Sequence, residues 1–263
     1  MKRKPISSTT NAAAVVSTSY RSYTSWRKIV FAGVLLFALG VAGGFVWFKS
    51  DTPVYLVRQP LLKSATPPVL ILLHGYGSNE ADLFGLAPEL DKRFAIYSLR
   101  APNARSGSGY CWYEIKFLNN GQFDYDTVQV NKSRDYILSF VQNICRKDHL
   151  DSSRVYLMGF SQGAILSYEL AVSKPKQIKG ILALSGRLMK ETRQHAGNKT
   201  FPNLHAFIAH GNQDEVIALK ESEAAQEFFK DKKLKSLEYH VYPMAHSISP
   251  TEMNDIRSWL NKQ

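Results

Sequence analysis

Short apolar runs that alternate with helical segments between residues 69 and 261 constrain the fold of this chain most strongly. Each run is four to seven residues long and rich in Leu, Ile and Val, which is typical of a strand buried on both faces of a sheet. The predicted strands are Val69–Leu73, Phe94–Leu99, Val155–Met158, Ile178–Leu184, Leu204–Ala209 and Leu237–Tyr242, with Val54–Val57 as a candidate additional strand.

Four segments between or after these strands carry apolar residues at helical spacing, namely residues 131–149, 162–173, 217–230 and 249–261. The apolar stripe of the first segment consists of Ile137, Phe140, Val141, Ile144 and Cys145. Strands that alternate with helices predict an α/β fold in which helices flank a mainly parallel sheet. In such a fold we expect the reactive side chains in the loops that follow the strands.

The charge of the chain is concentrated near its N-terminus. The 263 residues carry 33 Lys and Arg against 22 Asp and Glu, a net charge of +11. Seven of the basic residues and none of the acidic ones lie in residues 1–50, which leaves 26 against 22 in the remainder. A remainder so nearly balanced lacks the concentrated positive surface of a nucleic-acid groove, so we predict no nucleic-acid partner.

Residues 29–48 form an uncharged segment of twenty residues, of which twelve are Leu, Ile, Val or Phe. A helix of that length spans about 30 Å, the thickness of the hydrocarbon core of a bilayer. Six of the seven basic residues precede it, so the positive-inside rule predicts a single-pass membrane protein with a cytoplasmic N-terminus. The catalytic domain would lie on the far side, in the periplasm if the host is bacterial.

The same segment has an alternative interpretation, because Ala38-Leu39-Gly40 matches a small-x-small cleavage site. In that case the protein is secreted after signal cleavage. The predicted division of the chain is therefore a basic, disordered leader (1–28), a transmembrane anchor or signal peptide (29–48), a linker with the first strand (49–67) and a catalytic domain (68–263).

The most specific motif is Gly159-Phe160-Ser161-Gln162-Gly163, which lies between a predicted strand and a predicted helix. A G-x-S-x-G sequence in that position is typical of a strained turn that lifts the serine oxygen clear of the sheet. Glycines are needed on either side, because a Cβ there would collide with neighbouring backbone. We therefore predict that Ser161 is a nucleophile.

A serine nucleophile needs a base and an acid that orients the base, and in this architecture the acid precedes the histidine in the sequence. Asp214 and Glu215 follow the fifth of the six apolar runs, and His246 follows the sixth. His246 is the predicted base because no other histidine follows the last strand. Asp214 and Glu215 are adjacent, and only one of them can point into the site.

The tetrahedral intermediate of an acyl transfer needs two N–H donors around its oxyanion. The backbone amides of Gln162, directly after the nucleophile, and of Tyr76, in the loop after Leu73, are the predicted donors. The sequence contains no H-E-x-x-H, no C-x-x-C and no glycine-rich phosphate loop. We therefore predict neither a metal nor any other cofactor.

Five sequence blocks resemble the phospholipase/carboxylesterase family, which includes the acyl-protein thioesterases. They are LHGYG at 73–77, GFSQGA at 159–164, LSG at 184–186, HGxxD at 210–214 and MAHS at 244–247. The resemblance covers about residues 68–262 and implies an α/β-hydrolase that cleaves carboxylic esters and thioesters without a cofactor. The pattern of that family also implies that Asp214, rather than Glu215, is the acid.

The loop of residues 101–127 is rich in aromatic side chains, and its segment Trp112-Tyr113-Glu114-Ile115 resembles a block of the same family. These rings either form a wall over an acyl chain or anchor the loop to the core. We predict that Tyr76, Trp112 and Tyr113 line the substrate pocket. A disulfide between Cys111 and Cys145 is permitted outside the cytosol, but the sequence does not establish its geometry.

We therefore predict a serine carboxylesterase that hydrolyses short-chain esters, lysophospholipids or acyl thioesters through Ser161, His246 and Asp214. Its predicted partners are a small-molecule or lipid ester substrate and, through the N-terminal helix, a membrane. The oligomeric state is left open. The alternatives are a peptidase or amide hydrolase on the same fold and a catalytically silent, membrane-tethered binding protein.

Overall fold

The computed structural model describes residues 52–105, 109–117 and 123–263, and a seven-stranded sheet forms the centre of this part of the protein. The strands are β1 (Tyr55–Arg58), β2 (Val69–Leu73), β3 (Ala95–Leu99), β4 (Asn103–Ala104), β5 (Tyr110–Cys111), β6 (Ile115–Phe117), β7 (Phe123–Tyr125), β8 (Val155–Phe160), β9 (Gly180–Leu184), β10 (His205–Gly211) and β11 (Ser236–Tyr242). The helices are α1 (Ala81–Phe84), α2 (Thr127–Lys147), α3 (Gln162–Ser173), α4 (Lys190–Ala196), α5 (Lys220–Lys230) and α6 (Pro250–Asn261).

The strand order of the large sheet is β1-β3-β2-β8-β9-β10-β11. β1 pairs antiparallel with β3 at one edge, and all other neighbours are parallel. Two short antiparallel hairpins, β4–β5 and β6–β7, form outside the large sheet between β3 and α2. The loops after the parallel strands therefore meet at one edge of the sheet, where ligands bind in open α/β folds.

Alternate residues of each strand enter the core on opposite sides of the sheet. Ile71 of β2 packs on the side covered by α2, α3 and α5, whereas Leu70 and Leu72 pack on the side covered by α1 and α6. Both sides are buried, which is why the strands appear in the sequence as continuous apolar runs. The predicted stripe of α2 is confirmed, because Ile137 and its neighbours on that stripe are buried.

All seven predicted strands are present, with ends that differ by no more than two residues from the predicted ones. β1 belongs to the large sheet and is the first strand predicted within residues 49–67. The four predicted helices correspond to α2, α3, α5 and α6. Patterning did not predict α1, α4 and the two hairpins, because elements of two to seven residues are too short to show a period.

The predicted membrane segment, residues 29–48, lies outside the described residues. Among the residues that the structure does describe, no helix combines the length and the apolar character needed to cross a membrane. The bounds predicted for the leader and the anchor therefore stay predictions.

Candidate active site

Ser161 occupies a strained turn between β8 and α3. Its backbone has φ 53° and ψ −113°, a conformation that residues with a side chain rarely adopt. A Cβ on Gly159 would lie 2.3 Å from the carbonyl oxygen of Gly163, and a Cβ on Gly163 would lie 1.9 Å from that of Leu73. The close approach of three backbone segments thus explains both glycines of the motif.

Asp214 and His246 are joined by a hydrogen bond, with His246 Nδ1 2.7 Å from Asp214 Oδ2. The loops that carry them follow β10 and β11 and lie side by side, since the amide of Gln213 donates to the carbonyl of Met244 at 3.0 Å. The neighbouring acid, Glu215, is exposed to solvent. The fold therefore brings only one of the two adjacent carboxylates to the histidine.

The carboxylate of Asp214 is fully buried and surrounded by donors. Its Oδ1 accepts hydrogen bonds from the backbone amides of Val216 and Ile217, both at 2.9 Å. Burial alone would raise the pKa of Asp214, but the hydrogen bonds from His246 and from the Ile217 amide outweigh it. The pKa of Asp214 consequently lies below its ordinary value, and the group is ionised at neutral pH.

The serine turn and the histidine loop meet at Phe160. The ring centroids of Phe160 and His246 are 4.8 Å apart. In the described part of the chain, His246 is hydrogen bonded to Asp214 but not to Ser161. Hydrogen bonds between such groups are often long in structures without substrate and tighten when substrate binds.

The backbone amides of Tyr76 and Gln162 donate no hydrogen bond to any residue that the structure describes. The amide of Gln162 lies in the first turn of α3, where helix geometry leaves N–H groups free and the helix dipole favours negative charge. The Tyr76 loop is held through its neighbours, because Gly77 N donates to Tyr110 O at 2.9 Å and Tyr110 N donates to Ser78 O at 2.7 Å. Both predicted oxyanion donors are thus available.

The side chain of Gln162 connects the serine turn to the aromatic loop, a role that the sequence analysis missed. Its Oε1 accepts from the amide of Trp112 at 2.9 Å, and its Nε2 donates to the carbonyl of Tyr113 at 2.7 Å. Trp112 Nε1 in turn donates to the carbonyl of His74, at the end of β2, at 2.9 Å. No local pattern signals these bonds, since the partners lie 38 to 50 residues apart in the sequence.

The pocket prediction needs a correction for two of its three residues. Trp112 and Tyr113 are 0% and 2% exposed and pack in the core beneath the loop. They anchor the loop to the core and present no surface to a substrate in this structure. Tyr76 is half-buried, its ring lies 4.3 Å from the guanidinium of Arg105, and its hydroxyl donates to Glu114 Oε2 at 3.2 Å.

Cys111 and Cys145 are both buried free thiols, so the disulfide left open by the sequence is not formed. Burial, with the carboxylate of Glu114 as a further cause, raises the pKa of Cys111 to about 11. Burial likewise raises the pKa of Cys145 to about 11. Both groups are therefore protonated at neutral pH and are poor nucleophiles.

Two of the curated proteins that resemble this chain are yeast acyl-protein thioesterases. Acyl-protein thioesterase 1 of Kluyveromyces lactis is 30% identical over 224 residues, which cover 80% of this chain and 98% of the relative. Acyl-protein thioesterase 1 of Saccharomyces cerevisiae is 29% identical over 212 residues, which cover 73% of this chain and 91% of the relative.

Two solved structures show the same fold. A carboxylesterase of Bacillus cereus superposes with a TM-score of 0.70 at 21% identity and covers 81% of this chain and 95% of its own. Acyl-protein thioesterase 2 of Zea mays superposes with a TM-score of 0.61 at 20% identity and covers 80% of this chain and 99% of its own. The fold is therefore that of an α/β-hydrolase.

The comparisons contradict the localisation predicted from residues 1–50. The yeast relatives match 73–80% of the chain and are named acyl-protein thioesterases, which does not fit a catalytic domain on the far side of the membrane. Both the single-pass form and the secreted form of that prediction are therefore wrong. Hydropathy and flanking charge describe a segment that is able to insert, but they do not show that it inserts.

The sequence profile described as Phospholipase/Carboxylesterase matches residues 61–263. The match includes the G-x-S-x-G turn and the loops that carry Asp214 and His246. Together with the relatives, it shows that the chain is a hydrolase of the esterase or thioesterase type. The chain belongs to the phospholipase/carboxylesterase family.

Proposed function

We propose that this protein hydrolyses carboxylic esters and thioesters of small or lipid molecules with Ser161, His246 and Asp214 as its catalytic residues. The observation that carries the proposal is the 2.7 Å hydrogen bond between Asp214 Oδ2 and His246 Nδ1 in the loops after β10 and β11. Because Nδ1 donates to the carboxylate, Nε2 of the neutral imidazole is left as the acceptor that a serine hydroxyl requires.

In the acylation half of the reaction, Ser161 Oγ attacks the carbonyl carbon while its proton passes to His246 Nε2. The carbonyl oxygen takes up the electron pair and accepts hydrogen bonds from the amides of Tyr76 and Gln162. The imidazolium then returns the proton to the leaving oxygen or sulfur as that bond breaks. Asp214 stays ionised throughout and keeps the imidazole oriented.

In the deacylation half, water attacks the acyl-serine ester and gives one proton to His246 Nε2. Collapse of the second tetrahedral intermediate releases the carboxylic acid, and His246 protonates Ser161 Oγ. The substrate classes are short-chain esters, lysophospholipids and acyl thioesters, and the names of the yeast relatives favour the acyl thioesters. No step needs a metal or a cofactor, because the negative charge on the carbonyl oxygen is stabilised by the two backbone amides and the positive charge on His246 by Asp214.

The test is Ser161→Ala, measured on a short p-nitrophenyl ester, on an acyl thioester and with a fluorophosphonate probe. We expect the wild type to label with the probe and the variant not to label. We also expect kcat/KM to fall at least about 10³-fold, since losing the nucleophile of such a triad removes most of the catalysis. Wild-type hydrolysis by the variant would exclude the mechanism.

Ser185→Ala is a matched control, because Ser185, like Ser161, is a serine with a positive φ (49°) directly after a strand, although Ser185 is fully buried. Its hydroxyl has no hydrogen-bond partner among the described residues, so its loss should leave the rate unchanged. An amide analogue that is turned over faster than the ester would instead favour a peptidase. A wild type that does not label would favour a silent scaffold.

A further inference from the structure

His74 directly follows β2, and its side chain is fully buried. Both nitrogens of its ring are hydrogen bonded to backbone. Nδ1 lies 2.8 Å from the carbonyl oxygen of Gly75, and Nε2 lies 3.1 Å from the amide nitrogen of Ala101, two residues after β3. The proposed mechanism gives this histidine no role.

The two contacts of His74 define its tautomer. The amide of Ala101 can only donate a hydrogen bond, so Nε2 must be the acceptor. The carbonyl of Gly75 can only accept one, so the ring proton must lie on Nδ1. Burial lowers the pKa of His74, and the ring is therefore the neutral imidazole protonated at Nδ1 at neutral pH.

The carbonyl of Gly75 belongs to the same peptide group as the amide of Tyr76, the proposed donor to the oxyanion. A trans peptide group is planar, and its C=O and N–H point in opposite directions. A hydrogen bond that holds the carbonyl therefore also sets the direction of the amide. This peptide group lies beside the nucleophile, since a Cβ on Gly75 would lie 3.5 Å from the Cβ of Ser161.

We propose that His74 is a positioning residue of the oxyanion hole, an inference that rests on the proposed function. Its Nδ1–H holds the carbonyl of Gly75 at 2.8 Å and so aims the amide of Tyr76 on the other side of the peptide group. The amide of Ser78 donates to the same carbonyl, but over 3.3 Å. The shorter of these two hydrogen bonds comes from the histidine.

The position of His74 is itself fixed relative to the second oxyanion donor, the amide of Gln162. Trp112 Nε1 donates to the carbonyl of His74 at 2.9 Å, and the amide of Trp112 donates to Gln162 Oε1 at 2.9 Å. The bond from Ala101 ties the imidazole to the end of the neighbouring strand. His74 thus transmits the geometry of a rigid part of the fold to a donor that must be aimed before the substrate arrives.

The experiment compares His74→Gln with His74→Asn, which divide the two hydrogen bonds between them. The side-chain oxygen of glutamine reaches about as far as Nε2 and can accept from Ala101, but no N–H is left near Gly75. The side-chain amide of asparagine ends at about the position of Nδ1 and can donate to Gly75, but it does not reach Ala101.

We expect His74→Gln to lower kcat about 10- to 100-fold with little change in KM, somewhat less than the loss of a whole oxyanion donor. We expect His74→Asn to keep kcat within about threefold of the wild type. Asparagine leaves the Ala101 amide without its acceptor, so His74→Asn should have the lower melting temperature of the two. A loss of kcat in His74→Asn as large as that in His74→Gln would overturn the inference.

A trifluoromethyl ketone separates positioning from a general packing defect. Ser161 Oγ adds to its carbonyl carbon, His246 takes the proton, and the carbonyl oxygen becomes an oxyanion in the same hole. In His74→Gln the inhibition constant should rise by the factor by which kcat falls. A packing defect would instead reduce the fraction of enzyme that a fluorophosphonate labels and leave the inhibition constant unchanged, an outcome that excludes the positioning role.

His205→Gln is the matched control. His205 is also a hydrogen-bonded histidine of the sheet, with Nδ1 2.9 Å from Ser236 Oγ, but it begins β10, whereas Asp214 follows the other end of that strand. This variant should match the wild type in kcat and in the inhibition constant. Losses equal to those of His74→Gln would show that the Gly75 contact has no special role.

Two outcomes distinguish this inference from the proposed function. If Ser161→Ala is inactive while His74→Gln keeps the wild-type kcat and inhibition constant, the positioning role is excluded and the triad stands. If Ser161→Ala keeps wild-type activity, the proposed function itself fails.

A measurement on the wild type covers the case in which the His74 variants do not fold. Long-range ¹H–¹⁵N spectra of the histidine rings should show a proton on Nδ1 of His74 and none on Nε2. Through-space contacts to Trp112, whose ring centroid lies 5.4 Å away, assign the ring of His74. A proton on Nε2 instead would overturn the inference, because the neutral ring could not then donate to Gly75.

Discussion

The loop of residues 211–217, which carries Asp214, and the loop of residues 74–80, which carries Tyr76, lie at the same edge of the sheet but differ in their hydrogen bonding. In the first loop both oxygens of the buried carboxylate accept hydrogen bonds, from two backbone amides and from His246. In the second loop the amide of Tyr76 is left without an acceptor in the described part of the chain.

In the proposed mechanism, the difference follows from when the charge is present in each of the two loops. Asp214 carries its charge in every state of the enzyme, so its donors must be in place permanently, and they hold its pKa low. The oxyanion exists only during the reaction, so its donors must be free beforehand and already aimed. The Tyr76 loop is therefore held by contacts other than that amide, through the Gly77–Tyr110 bond and the stacked guanidinium of Arg105.

The largest effect should come from altering the permanent charge. Asp214→Asn places an amide N–H against His246 Nδ1, which must then accept, so the proton moves to Nε2 and blocks the serine proton. We expect kcat/KM to fall about 10⁴-fold, the loss typical of this change in such triads. Glu215→Gln is the matched control at the adjacent, exposed carboxylate and should keep the wild-type rate in the same ester assay. Equal losses in both variants would show that the fold does not select between the two acids.

A smaller effect should come from loosening the loop of residues 74–80, whose Tyr76 amide is the proposed donor to the oxyanion. Arg105→Met removes the cation over the Tyr76 ring and the 2.7 Å ion pair with Glu114 Oε2. Losing a whole oxyanion donor lowers kcat about 10²- to 10³-fold. Loosening one donor should therefore lower kcat only about three- to tenfold, with KM nearly unchanged.

Arg257→Met is the control for Arg105→Met, because it breaks an exposed 2.8 Å ion pair with Glu89 away from the loop. Such pairs contribute little to stability, and this variant should match the wild type in kcat. A decrease in kcat as large as that of Arg105→Met would show that the Tyr76 stack has no special role.

The smallest predicted effect is a change in stability at Glu252, and it tests why the carboxylate of Asp214 is ionised at neutral pH. Glu252, at the start of α6, is also buried. Among the described residues, however, its carboxylate accepts a hydrogen bond only from the amide of Ser249, at 3.3 Å on Oε2, and Oε1 has no partner. Burial raises the pKa of Glu252 to about 8. The contrast with Asp214 indicates that the number of donors, rather than burial, decides the direction of the shift.

Because the pKa of Glu252 is higher in the folded than in the unfolded chain, the stability linked to its proton is present below the unfolded pKa and is lost as pH rises toward 8. Glu252→Gln cannot ionise, so its melting temperature relative to the wild type should be higher at pH 9 than at pH 5. We expect a difference on the order of 1 kcal/mol, or about 2–4 °C for a domain of this size. Activity should not change, and a difference that is independent of pH would contradict the assigned protonation.

The regular part of the fold could be predicted because its signals are local. The central strands β2, β8 and β9 are apolar along most of their length, and α2 carries its apolar residues on one stripe. The hairpins β4–β5 and β6–β7 could not be predicted, since strands of two or three residues show no alternation. Trp112 and Tyr113 were assigned to the pocket because aromatic residues in a loop suit both a binding wall and a core anchor, and only their burial separates the two.

The sequence by itself determined which chemistry is present: a serine in a glycine-flanked turn after one strand, an acid after another and a histidine after the last. The tertiary structure decided which of two adjacent acids meets the histidine and where the side chain of Gln162 binds. The physical reason is the distance along the chain over which each interaction acts. Strand patterning and turn strain arise within a few residues of the chain, whereas these hydrogen bonds depend on how separate loops pack against one another at the edge of the sheet.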